Sequence, residues 1–253
     1  MTSSHNLSLS IMYDQNFKVL SSDGHLFVNV DLSSSQGIDR AGAMGLTQNR
    51  VSDLAYTPFL KEGAQKLFIP PSGQGFPEVS GRLLIVFRDP IDRALNRYEA
   101  TRILTGNDAL TLTDYATNPI YSENNPLTRD LLGLGPKDAL ENEQIKAAQE
   151  VINQHVLVGL FDQIENSILR YEEFFRWYMG GANAAISLCH EQVWESFQMG
   201  YRIGSNYATA DPAGYNMVAA SHTVDKLLYN YAKALFDLQG NVLSELDAAG
   251  TKK

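Results

Sequence analysis

The sequence predicts an α/β fold with a mainly parallel sheet. Leu83–Phe87 (LLIVF) is apolar at every position, the pattern of a strand covered on both faces. Strand-like segments alternate with stretches of helical periodicity along the chain. With 253 residues, 44% of them hydrophobic, the chain can build one large domain or at most two small ones.

Residues 1–25 are polar and read as a poorly ordered segment. Leu26–Val30 (LFVNV) reads as the first strand, followed by the Ser/Gly-rich loop DLSSSQG and a short helix over Ile38–Leu46. Leu54–Thr57 reads as a second, short strand, and Pro58 suits the opening of the helix FLKEGAQKLF. The Pro and Gly content of IPPSGQGFPEVSG marks a loop. Beyond Leu83–Phe87 and Arg88, Asp89 is a good N-cap and Pro90 a good first helical residue. Ile91, Ala94, Leu95 and Tyr98 then trace the apolar face of a helix. A polar stretch covers 106–136, helical patterning returns from Pro136 to His155, and Val156–Val158 reads as a further strand. Leu160, Ile164, Ile168, Tyr171, Phe175 and Tyr178 mark one face of the next helix. The last helix spans Thr223–Leu238. No linker divides the chain, so the expected organisation is one domain over 26–240 with a tail at 241–253.

Lys and Arg number 20 against 29 Asp and Glu, a net charge of −9. A chain this acidic is unsuited to coating a nucleic-acid backbone, and an anionic ligand would need a few local cations. Cys189 is the only cysteine, which excludes an internal disulfide framework, a cysteine-based zinc site and a CxxC redox motif. No paired His spacing suggests a metalloenzyme. The longest clear apolar run is five residues, far short of the roughly 20 that span a bilayer. The N-terminus has neither the basic nor the apolar region of a signal peptide. As written the chain reads as soluble, with a targeting segment upstream as the alternative.

Arg88 is the residue best placed for chemistry. It stands where a buried strand ends and a helix begins, the edge at which open α/β sheets bind ligands. An arginine beside the free N–H groups of a helix start suits a phosphate, and pairing with a carboxylate is the competing role. The string RDPIDRALNRY, Arg88 to Tyr98, resembles the nucleotide 3′-phosphate segment of sulfotransferases, a strand followed by R-[DH]-P-x-x-R-x-x-S-x-Y. Arg88, Asp89, Pro90, Arg93 and Tyr98 match, while Asn96 stands where the family has Ser. YSENNPLTRDLLGLG is similar to the family's N-x-x-x-R-x-L-x-G stretch, through Asn125, Arg129, Leu131 and Gly133. VLVGLFDQIENSILRYEEFFRW and HTVDKLLYNYAKALFDLQ resemble its later segments, the second through Asp225, Leu228, Tyr229, Tyr231, Ala232, Leu235, Phe236 and Gln239. The carbohydrate sulfotransferases of the heparan-sulfate 2-O type are the branch most resembled.

The resemblance implies a P-loop-like, three-layer α/β domain, the sulfotransferase fold. It implies 3′-phosphoadenosine 5′-phosphosulfate (PAPS) as co-substrate, no metal, and transfer of the sulfuryl group to a hydroxyl of a carbohydrate or glycoconjugate. Arg88, assisted by Asn96, would hold the 3′-phosphate. Ser33, Ser34, Ser35 and Gly37, in the loop after the first strand, would serve the 5′ side. Arg129 and Arg202 are candidates for acceptor or nucleotide contacts, with a surface salt bridge as the competing role. Members of the branch are commonly anchored in the Golgi lumen by one N-terminal helix, so the resemblance implies that location although the chain shows no such span. Sulfuryl transfer depends on in-line positioning and on charge that neutralises the leaving phosphate.

The departures from the family bear on activity. The family's loop lysine is absent from DLSSSQGIDRA, and Arg40, the nearest cation, lies within the following helix. Either the loop is degenerate or the true loop lies upstream. His5, His25, His155, His190 and His222 sit in the tail, before strands, or at helices, which leaves Glu62 as the candidate general base. The alternative function is a non-catalytic sulfotransferase-like protein that binds nucleotide or glycan. A P-loop nucleotide kinase is disfavoured because no GxxxxGK[ST] string occurs.

Overall fold

The computed structural model describes residues 19–22, 25–47, 49, 55–67, 83–175, 192 and 206–250; for 19–27, 64 and 242–250 the backbone alone is described. The loop expected over 69–81, Tyr178 and Arg202 lie outside the described residues. The chain divides into two compact units, Met1–Leu83 and Leu84–Lys253. The described architecture is mixed α/β and mostly helical, with a small parallel sheet of two strands.

In the first unit β1 (Val19–Ser22) and β2 (His25–Val28) form an antiparallel hairpin, with Val19 opposite Val28 and Ser22 opposite His25. Two expectations change here. Residues 19–22, read as part of a poorly ordered segment, form a strand, and the first predicted strand pairs with it rather than in the parallel sheet. The chain then enters α1 (Ser35–Ala43), which packs on α2 (Leu60–Leu67) through a core of Ile38, Ala41, Leu46 and Leu67. The strand read over Leu54–Thr57 is absent at Ala55–Thr57, which are irregular. Tyr56 is 87% exposed, so the segment has no buried face to reward strand pairing.

The second unit is built around β3 (Leu83–Phe87) and β4 (Val156–Leu160), parallel neighbours whose carboxyl ends therefore share one edge. Every residue of β4 is buried. In β3 only Leu83, Ile85 and Phe87 are, and Val86 is 42% exposed, so coverage on both faces holds for β4 and not for β3. α3 (Pro90–Thr105) starts as expected, with Asp89 accepting from the Ile91 N–H and Pro90 at its first position. Gly106, in the left-handed conformation at φ 62, ends it. Ala94, Leu95 and Tyr98 on α3 pack with Leu112, Tyr115 and Val218.

The polar stretch between holds two short helices, α4 (Leu112–Thr117), entered by a Thr111–Asp114 capping box, and α5 (Pro126–Leu132). α6 (Asn142–His155) begins later than Pro136, at a second capping box formed by Glu141 and Gln144. Leu160, read as a helical residue, closes β4; a short 3₁₀ turn, Phe161–Gln163, separates it from α7 (Ile164–Phe175). α8 (Tyr207–Ala210) and α9 (Pro212–Ser221) precede α10 (Thr223–Gly250), which runs beyond the expected end at Leu238.

Polar side chains complete the unit's backbone bonding. Gln239 on α10 works as a stand-in strand beside β4: its Oε1 accepts from the Val158 N–H at 2.9 Å and its Nε2 donates to the Val156 carbonyl at 2.9 Å. At the end of β4, Ser167 Oγ accepts from the Leu160 N–H at 2.8 Å. Tyr171 Oη donates to the Ile85 carbonyl at 3.3 Å, fastening α7 to β3.

Candidate functional site

At the shared carboxyl edge, Arg88 leaves β3 and lays its guanidinium over the Phe161 ring, 4.7 Å from the centroid. Phe161 is the first residue after β4, so the ends of both strands meet in this one contact. Asp89 caps α3 through Oδ1 and pairs through Oδ2 with the ammonium of Lys226 on α10. One helical turn beyond Lys226, Tyr229 donates to Asp162 Oδ1 at 3.4 Å, and both Lys226 and Lys233 lie near the Tyr229 ring. The face of α10 carrying Lys226, Tyr229 and Lys233 thus crosses the ends of both strands.

Charge is balanced closely at this edge. Desolvation, and then the charge of Asp89, raises the Asp92 carboxyl above the ordinary aspartate range, while Arg88 and Lys226 act in the opposite direction. Burial, followed by Asp162 and Asp89, pushes the Tyr229 hydroxyl well above the usual tyrosine range, which keeps it a proton donor. Asn96 is half-buried on α3, one turn beyond Asp92.

Arg93 stands between two carboxylates. Its Nη2 lies 3.8 Å from both Glu123 Oε2 and Asp225 Oδ2, and Arg97 pairs with Glu123 beside it. Arg129, expected at an acceptor or the nucleotide, is turned to its own surroundings. Its Nε donates to the Asn124 carbonyl at 2.7 Å, Nη1 to the carbonyls of Gly135 and Asp138, and Nη2 to Asn124 Oδ1 at 3.2 Å. That guanidinium clamps the 133–138 loop.

In the first unit the Ser-rich loop is folded onto a carboxylate of its own. Asp31 Oδ1 accepts from the Ser33 N–H at 2.9 Å and from Ser33 Oγ at 2.5 Å, and these bonds hold the Asp31 carboxyl below the usual range. Ser34 is the N-cap of α1, its Oγ accepting from the Gly37 N–H at 3.1 Å, and Ser35 is the first helical residue. A side chain at Gly37 would run into the Asp31 carbonyl, so glycine permits the loop to fold back over the helix start. Arg40 donates to the Asn29 carbonyl at 2.6 Å. Glu62 lies on the first turn of α2 with one carboxylate oxygen buried and, among the described residues, without a hydrogen-bond partner.

Sequence reasoning missed Lys226, Phe161 and Asp162, and named Tyr229 only as a match to the resembled family's last segment. The spacing of Lys226, Tyr229 and Lys233 at i, i+3 and i+7 is a readable signal of one helix face, but nothing local says which strand ends it meets. Among the described residues no helix is long and apolar enough to cross a membrane, and no group of three or more His, Cys, Asp or Glu is placed to hold a metal ion. Compared with family models, curated proteins and solved structures, the chain matches none.

Proposed function

We propose that the chain binds a 3′-phosphoadenosine nucleotide at Arg88 and acts as a PAPS-dependent O-sulfotransferase on a carbohydrate. The observation that carries the reading is the position of Arg88, at the shared carboxyl edge of two parallel strands and beside the capped start of a 16-residue helix. Arginine there offers a planar fork to a phosphate, and Asn96 adds a neutral hydrogen-bonding group farther along α3. In the reaction the acceptor oxygen bonds to sulfur as the bond from sulfur to the phosphate oxygen breaks. The acceptor proton passes to a base, and the nucleotide leaves as 3′-phosphoadenosine 5′-phosphate. Arg129 has no part in this reading, because its donors hold the 133–138 loop. A Golgi-lumenal setting belongs to the same reading.

One observation favours the second reading, a non-catalytic sulfotransferase-like binding protein. The loop that should receive the phosphosulfate has no lysine, and its Ser33 donors are directed at the Asp31 carboxylate. Calorimetric titration with 3′-phosphoadenosine 5′-phosphate, combined with transfer of labelled sulfate from PAPS to a panel of polysaccharides, separates the two. Binding with transfer supports the enzyme, and binding without transfer supports the binding protein. Arg88→Ala should weaken nucleotide binding at least about tenfold. Absence of binding to the wild-type chain would sink both readings.

A further inference from the structure

The contact between Lys226 and Asp89 joins residues 137 positions apart and brings a second cation to the residue that follows Arg88. The two oxygens of Asp89 have separate duties: Oδ1 accepts from the Ile91 N–H and caps α3, while Oδ2 takes the ammonium. Lys226 can therefore leave Asp89 without uncapping the helix. Its side chain is 41% exposed and carries three donors on a flexible stem, so it reaches a nearby anion by rotation alone. A phosphate monoester, at a charge of about −1.5 to −2, attracts the ammonium more strongly than a single carboxylate does. Arg88 and Lys226 also act on the same neighbour, both favouring the charged form of Asp92.

We propose that Lys226 is a second phosphate-contact residue of the Arg88 site and exchanges Asp89 for the ligand's phosphate when nucleotide binds. The proposal rests on the reading that Arg88 holds a nucleotide phosphate. Asp89, the residue after Arg88, holds the ammonium in the structure. On binding, the phosphate takes over that role.

The test is titration of 3′-phosphoadenosine 5′-phosphate into wild type, Arg88→Ala, Lys226→Gln, Asp89→Asn and the double variant Asp89→Asn/Lys226→Gln, with thermal melts of each. Asparagine caps helices as well as aspartate, so Asp89→Asn should fold and should bind the nucleotide more tightly. Lys226→Gln should weaken binding about tenfold both in the wild-type and in the Asp89→Asn background. Lys226→Arg should restore most of the loss and keeps the test open if the glutamine variant is unstable. A Lys226→Gln loss that disappears in the Asp89→Asn background would overturn the proposal, since Lys226 would then only be neutralising Asp89. Loss of affinity in Arg88→Ala with none in Lys226→Gln would overturn it while leaving the phosphate site intact. Unchanged affinity in Arg88→Ala would instead bring down the phosphate reading and this proposal with it.

Discussion

Asn125 and Asp225 cap each other's helices. Asn125 Oδ1 accepts from the Val224 N–H at 2.8 Å and the Asp225 N–H at 3.0 Å, at the start of α10. The Asp225 carboxylate returns the arrangement, accepting from the Leu127 and Thr128 N–H groups at 2.9 Å each and from Thr128 Oγ1 at 2.7 Å, at the start of α5. Asn125 reaches this position in a left-handed conformation, φ 47, which asparagine tolerates better than most residues. Both residues are buried, and the Thr128 and Asp225 N–H groups they satisfy are buried with them. Two positions that belong to the resemblance with sulfotransferases are accounted for here by folding alone.

Removing either half of this pair should destabilise the second unit by unequal amounts. Asp225→Ala strands three donors and removes one of the two carboxylates beside Arg93, leaving Glu123, a loss of about 3 kcal/mol. Asn125→Ala removes one cap acceptor and places alanine at positive φ, a loss of about 2 kcal/mol. The double variant should cost less than the sum, because the two caps fix the same helix junction. Urea unfolding of the three variants measures this, and strictly additive losses would show that the caps act independently.

Gln239 makes a comparable prediction for β4. Gln239→Leu keeps the volume and leaves the Val158 N–H and the Val156 carbonyl unpaired, which should cost about 2 kcal/mol. Gln239→Glu still accepts from Val158 but sets a carboxylate against the Val156 carbonyl, so it should be no better. A glutamate variant as stable as wild type would mean that the Val156 bond contributes nothing. Chemical denaturation followed by circular dichroism is the measurement.

What the sequence reveals and what it hides follow from how local each feature is. The β3–α3 junction is readable because the apolar run, the Asp89 cap and Pro90 are adjacent in the chain. α4 and α5 are not, at six and seven residues, because so short a helix gives periodicity no room. The strand at Leu26–Val30 is recognisable, but its antiparallel partner is set by pairing, which composition does not encode. The same limit governs the site. Arg88 is visible at its strand end, whereas Lys226 reaches the adjacent Asp89 only through a contact spanning most of the unit. Arg129 looks available in sequence because the carbonyls that occupy it, at Asn124, Gly135 and Asp138, leave no mark in residue type.

Gly159 and Tyr171 form a close approach that should behave as a coupled pair. A side chain at Gly159 would fall on the Tyr171 hydroxyl, with the ring carbon Cζ at 2.9 Å and Ser167 Cβ at 3.1 Å. Gly159→Ala should therefore destabilise by about 2 kcal/mol through forced displacement of α7. Tyr171→Phe alone loses one long hydrogen bond to Ile85 and should cost about 1 kcal/mol. In the Tyr171→Phe background the alanine should cost less, since the nearest clash is gone while the Cζ and Ser167 contacts persist. A Gly159→Ala penalty independent of residue 171 would refute the clash as its cause. Thermal unfolding of the four proteins gives the comparison.

His222 should make the second unit acid-sensitive. The ring is 2% exposed at the junction of α9 and α10. Nδ1 lies 2.8 Å from the Val218 carbonyl and 2.9 Å from Ser221 Oγ, which fits a neutral ring donating from Nδ1 to Val218. Nε2 is buried and, among the described residues, has no hydrogen-bond partner. A proton at Nε2 would put a charge there without a partner. Burial lowers the His222 pKa below its ordinary 6.5, with Arg93 acting in the same direction and the Val218 bond and Asp225 opposing. Because the folded-state pKa is depressed, the unfolded chain takes up this proton first as pH falls. The stabilisation is complete above the unfolded pKa near 6.5 and is lost as pH drops from there toward the folded value. At its steepest the dependence should approach about 1.4 kcal/mol per pH unit. His222→Asn keeps a donor near the Nδ1 position without a titrating group. Asp92 and Asp130, whose carboxyls burial raises, titrate in both proteins and cancel in the comparison. Urea midpoints from pH 7.5 down to pH 5 should fall more steeply for wild type than for His222→Asn, and parallel curves would show that His222 carries no such linkage.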